Sequence, residues 1–169
     1  IDNIKISEEV YNMCVEFANK SADSSADKYA KRNQKNIEKI KKDIRNGKIA
    51  EQIVYDTLKE KFADLTAPDY NVYDKKEKNW SPDLKTQKLN IAVKSQDFES
   101  AMHYGDSWVF QFGNGKFDCD EKVFKEKDEN HFVCFVSLNV AKRTAKIQAI
   151  VKVDWLHQNS LFKEMKLEY

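Results

Sequence analysis

The chain is poor in the residues that punctuate or cross-link a fold. Its 169 residues include three cysteines, two prolines and four glycines. Cys14, Cys119 and Cys134 lie far apart and are odd in number, with no C-x-x-C pair and no Cys/His cluster, which argues against a structural zinc site. His103, His131 and His157 have no metal-ligand spacing either. With so few breakers, no linker and no internal repeat stands out, and the length suits one domain with a real core. No apolar stretch approaches membrane-spanning length, and nothing resembles a secretory leader. These absences point to a reducing, cytoplasmic setting away from the membrane. Excess charge is missing as well: the net charge is +1, although 34% of residues are charged, so there is no global nucleic-acid signal.

What is present is organised as helices followed by strands. Ser7 is a suitable cap for a helix striped by Val10, Met13, Cys14 and Phe17. Ser21 to Ser25 reads as a small polar break. Ile37, Ile40 and Ile44 then predict a second helix, Asn46-Gly47 an interruption, and Lys48 to about Phe62 a third. Pro68 ends the helical half. Tyr70 to Tyr73 predicts a strand, Leu84 and Leu89 to Val93 a hairpin, and Ser107 to Phe112 a further strand closed by Gly113-Asn114-Gly115. His131 to Val140 is a nearly unbroken apolar run, as expected of a central strand buried on both faces. Ala145 to Val153 alternates as a half-exposed strand, and Asp154 is placed to cap a last helix carrying Trp155, Leu156, Leu161 and Phe162. The expected class is α+β (mixed) with a mixed central sheet. Residues 1–46 form a helical extension and 47–169 the core.

The residues that carry chemistry cluster in the middle. Trp80-Ser81-Pro82-Asp83-Leu84 is followed, after a short turn, by Leu89-Asn90-Ile91-Ala92-Val93-Lys94-Ser95. Alternate strand residues share a face, so Lys94 shares one with position 92, and Asp83 approaches that face from the neighbouring strand. Two acids and a lysine so arranged suit phosphodiester hydrolysis: carboxylates hold Mg²⁺, and an ammonium offsets developing negative charge. Glu51 is a second, independent acid. It shares a helix face with Val54, Tyr55 and Leu58, where burying a carboxylate is costly unless something pairs with it.

Gly47-x-x-x-Glu51 on a helix, Pro82-Asp83, and Ala92-x-Lys94 on the following strand resemble the PD-(D/E)XK nuclease superfamily, the restriction-endonuclease-like fold. The resemblance covers roughly Gly47 to Phe112, the αβββ part of an αβββαβ-like core, with His131 to Phe162 completing it. It implies metal-dependent cleavage of nucleic acid, usually DNA, with Mg²⁺ or Mn²⁺ as cofactor and often as a homodimer. By position, Asp83 and Glu51 would be metal acids and Lys94 the catalytic lysine. Gln96 and Gln111 are weaker polar candidates, for which ordinary strand-edge polarity is an equal alternative.

The departure is Ala92, where the motif calls for a second carboxylate; a methyl group coordinates no metal. It is read first as a Glu→Ala inactivation, then as relocation of the carboxylate to Glu51 or Asp97, then as a naturally inactive DNA-binding module. The binding module would rest on the segment Lys28 to Lys48, whose nine cations face two acids for a local charge of +7. Lys39, Lys41, Lys42, Arg45 and Lys48 are its candidate phosphate contacts, with a solvated helix face as the more common outcome for such a run. The plainest alternative is an α+β protein in which Asp83 and Lys94 form a simple ion pair.

Overall fold

The computed structural model describes residues 1–30 (side chains to 22), 36–73, 82–110, 130–159 and 161. Lys31, Arg32, Lys35, Trp80, Gln111, Gly113-Asn114-Gly115, Cys119 and Phe162 lie outside the described residues, as does the side chain of Lys28.

After a short strand β1 (Ile4–Lys5), helix α1 runs over Glu8–Ala30. Ser7 opens it as expected, its Oγ accepting the Val10 N–H at 3.2 Å. The break expected at Ser21 to Ser25 is absent. Serine and alanine are not strong helix breakers, and here Ala18, Ser21 and Ala22 are buried on the helix face that carries Cys14. Helix α2 (Ile37–Leu58) is capped by Asn36, whose Oδ1 accepts the Lys39 N–H at 3.1 Å. It passes straight through Asn46-Gly47, so the two helices expected here are one, and the boundary drawn at residue 46 falls inside it. A glycine in mid-helix costs about 1 kcal/mol. The buried stripe of Ile40, Asn46, Ile49, Ile53 and Val54 on either side outweighs that.

Residues 70–73 join no ladder. Asp69 instead accepts from the Asn71 N–H at 2.9 Å and from the Tyr73 hydroxyl at 2.6 Å, while Tyr70 donates to Gln52 at 3.1 Å. Side-chain anchors thus satisfy the aromatic alternation that predicted a strand. The expected hairpin is present: β2 (Leu84–Lys85) pairs antiparallel with β3 (Asn90–Asp97), with Leu84 opposite Ile91. A short helix α3 (Phe98–Tyr104) follows, and the segment from Ser107 to Phe110 forms no strand. Trp108 and Phe110 pack there as side chains, against Phe135.

Strand β4 (His131–Asn139) lies parallel to β3 and antiparallel to β5 (Thr144–Lys152), and β1 pairs with β5. The order is β1-β5-β4-β3-β2, a mixed sheet in an α+β fold. Helix α4 (Val153–Gln158) closes the described chain. Its N-cap is Lys152 rather than Asp154, which sits in the first turn, and Leu161 lies beyond its end.

As its run of apolar residues predicts, β4 is buried on both faces. Cys134, Val136 and Leu138 join Ile91 and the α2 residues Ile49, Ile53 and Val54 in the larger core. Val133 and Phe135 join Ala92, Val153 and Leu156 on the other side. Between α2 and β4, the αβββ order expected of the core is therefore helix, two strands and a helix among the described residues, since residues 70–73 supply no strand.

Candidate active site

The acids meet where β2 runs out. Only Leu84 and Lys85 of this strand pair with β3, so the Val93 N–H lies beyond the paired residues. Asp83 takes it up: Oδ2 accepts the Val93 N–H at 2.7 Å. Continuing the register of Leu84 with Ile91, Asp83 lies across from Ala92.

Glu51 reaches this edge from α2. Its side chain is 12% exposed and its carboxylate accepts from Lys48 Nζ, one helical turn earlier. Burial, then the negative charge of Asp83, pushes the Glu51 carboxyl up to about 7, while Lys48 pulls the other way. Asp69 is a third acid in the field of Glu51. Burial opposes its ionisation, but hydrogen bonds from Tyr73 and Asn71 prevail and hold its carboxyl below the usual range. The i, i+3 spacing of Lys48 and Glu51 was the available signal for their pairing. Nothing in the spacing marked Asp69.

Lys94 shares its face of β3 with Ala92, as alternation requires. That face is the one away from α2: Lys94 Nζ stands 5.2 Å from the centroid of Phe110, and Ala92, 7% exposed, packs with Val133, Phe135, Val153 and Leu156. The structure therefore puts Asp83 within the electrostatic field of Glu51 at this strand edge and sets the Lys94 ammonium over a ring of the core away from α2.

The other candidates have structural work. Gln96, 8% exposed, donates to Gly105 O at 2.8 Å and accepts the Ser107 N–H at 3.2 Å, pinning the exit from α3. Asp97 caps α3 through the Ser100 N–H at 2.7 Å and pairs with Lys42 at 2.9 Å. Burial opposes ionisation of Asp97, but these partners hold its carboxyl low. Of the cationic stripe, Lys42 also bridges to Glu99 at 2.9 Å, Lys41 pairs with Glu38 at 3.3 Å, and Arg45 donates to Tyr11 and Asn46. Lys48 is committed to Glu51, and Lys39 is exposed. His131 is buried with its Nε2 2.7 Å from Asn90 Nδ2, and His103 and His157 lie on the surface.

Glu51 and Asp83 have the oxygen-donor chemistry a hard divalent cation takes. They are one ligand short of a set: among the described residues no group of three His, Cys, Asp or Glu side chains is placed to hold a metal, and Ala92 offers only a methyl group. Nor is any helix among them long and apolar enough to cross a membrane. Comparison with protein-family models, with curated proteins and with solved structures finds no match to this chain.

Proposed function

We propose that this chain is a Mg²⁺-dependent DNA endonuclease of the PD-(D/E)XK kind, held inactive by alanine at position 92. The observation that carries the reading is a buried Glu51 carboxylate with Asp83 in its electrostatic field: burial first, and then the Asp83 charge, raise the Glu51 carboxyl to about 7. Two acids from separate elements, crowded at the end of a strand, are costly in a purely structural role and useful beside a cation. A divalent ion bound there would polarise a phosphodiester and acidify a water molecule. Asp83, tied to the Val93 N–H, holds its carboxylate fixed for that purpose. Lys94 supplies a positive charge to a phosphate reaching the strand edge from the Phe110 side. Buried free thiols at Cys14 and Cys134 fit a cytoplasmic setting, and the resemblance adds a homodimer.

Ala92→Glu is the test. With Mg²⁺ or Mn²⁺ it should bind the ion and cleave plasmid or branched DNA at least roughly a hundredfold faster than the unaltered chain. A folded Ala92→Glu protein that leaves every DNA shape uncut overturns the reading.

The burial of Ala92 in an apolar cluster favours a second reading, a nuclease-like module that grips DNA without cutting it. In that case the charge of Lys39, Lys41, Lys42 and Arg45 carries affinity, and neutralising all four flattens the salt dependence of binding. Unchanged affinity removes this alternative.

A further inference from the structure

The Lys94 ammonium lies 5.2 Å from the ring centroid of Phe110, which belongs to a segment outside the strand ladder. That segment is fixed at several points. The Ser107 N–H donates to the buried Gln96 at 3.2 Å, and the Trp108 indole N–H donates to the Val136 carbonyl at 3.4 Å. Trp108 and Phe110 turn in against the sheet, while Val109 between them is 74% exposed. Both rings rest on Phe135, Trp108 tilted at 4.8 Å and Phe110 edge to face at 6.1 Å. Phe135 is itself the register partner of Lys94 on β4. Rings tied to the sheet backbone thus end on one ammonium group. An aromatic face attracts a cation, carries no net charge to cancel it and leaves N–H donors for an anion.

We propose that Phe110 is a positioning residue for Lys94, keeping its ammonium group where it binds a phosphate of the nucleic-acid backbone. The inference rests on the nucleic-acid reading above, in its cutting or its merely gripping form, and involves no metal ion. A lysine carries its charge on a flexible four-carbon stem, which spreads that charge over many rotamers. The ring narrows the spread before a phosphate arrives, so less conformational freedom is lost on binding.

The probe is a dye-labelled DNA duplex in EDTA, its binding to the whole chain followed by fluorescence anisotropy across a salt series. Lys94→Met should weaken binding by about fivefold and lower the salt slope by about one. Phe110→Leu should weaken it by about threefold. A trifluorinated phenylalanine at position 110 keeps the shape of the ring and depletes its negative face, so it should weaken binding similarly without disturbing the fold. Neither change should matter in the Lys94→Met background, whereas a loss of packing alone would cost the same with or without the lysine. In the free protein, the ε-methylene protons of Lys94 should show an upfield ring-current shift. Affinity unchanged by Lys94→Met or by the fluorinated ring, a loss equal in both backgrounds, or an unshifted Lys94 methylene overturns the inference while the nucleic-acid reading stands. Absence of DNA binding by the unaltered chain and by Ala92→Glu removes the nucleic-acid reading, and the inference with it.

Discussion

The Asp83 carboxylate accepts the Val93 N–H at 2.7 Å, one residue before the first paired residue of β2. The side chain thereby takes up a β3 donor beyond the paired residues and is held within the electrostatic reach of Glu51. Asp83→Asn can keep this bond through its amide oxygen while removing the charge. The Glu51 midpoint should then fall from about 7 toward its ordinary value, because the second cause of its elevation is gone. Carbon-detected NMR titration of the Glu51 carboxyl reads this directly. An unshifted midpoint would mean the two acids do not interact.

Glu51 also makes stability depend on pH. Its carboxyl is raised in the folded chain from 4.5 to about 7, so the folded state holds the proton more tightly than the unfolded one. The resulting stabilisation is complete below pH 4.5, shrinks between 4.5 and about 7, and is gone above that. Across the window it amounts to about 3 kcal/mol. Glu51→Gln should lack this slope, so its stability relative to the unaltered chain should improve from pH 4 to pH 8. Denaturant melts at the two pH values check it, and parallel pH profiles for the two proteins would contradict it.

Gly47→Ala should stabilise the chain by about 0.5–1 kcal/mol. The glycine lies inside α2, and an added Cβ meets nothing within 4 Å. A thermal melt with a lower midpoint would show that a bend at Asn46-Gly47 is needed after all.

Gln96→Leu should cost about 1–3 kcal/mol, since it leaves the Gly105 carbonyl and the Ser107 N–H without their buried partner. In the Ala92→Glu background the loss should appear in the melting temperature, with cleavage per folded molecule preserved. A folded Gln96→Leu protein that has lost cleavage would return Gln96 to the catalytic set.

The contrast between elements that were legible in the sequence and those that were not has a physical basis. The run from His131, the hairpin at Leu84 and the periodic isoleucines of α2 announce themselves because burial alone decides them. Tyr70 to Tyr73 alternates like a strand, yet Gln52, Phe17 and Asp69 hold its side chains and the backbone needs no ladder. Asn46-Gly47 looks like a stop, but packing on both sides exceeds the cost of one glycine. At the site, the helical spacing of Glu51 and the Pro82-Asp83 step were readable. The side of β3 taken by Lys94 relative to α2 was not, because alternation assigns faces without saying which face the helix covers.

The most direct test of the account is Mg²⁺-dependent cleavage by Ala92→Glu, compared with the double variants Ala92→Glu/Asp83→Asn and Ala92→Glu/Lys94→Ala. The account predicts that the single variant cuts DNA and that each double variant loses most of that activity. A folded, Mg²⁺-treated Ala92→Glu protein without cleavage, or one whose cleavage survives loss of both Asp83 and Lys94, would contradict it.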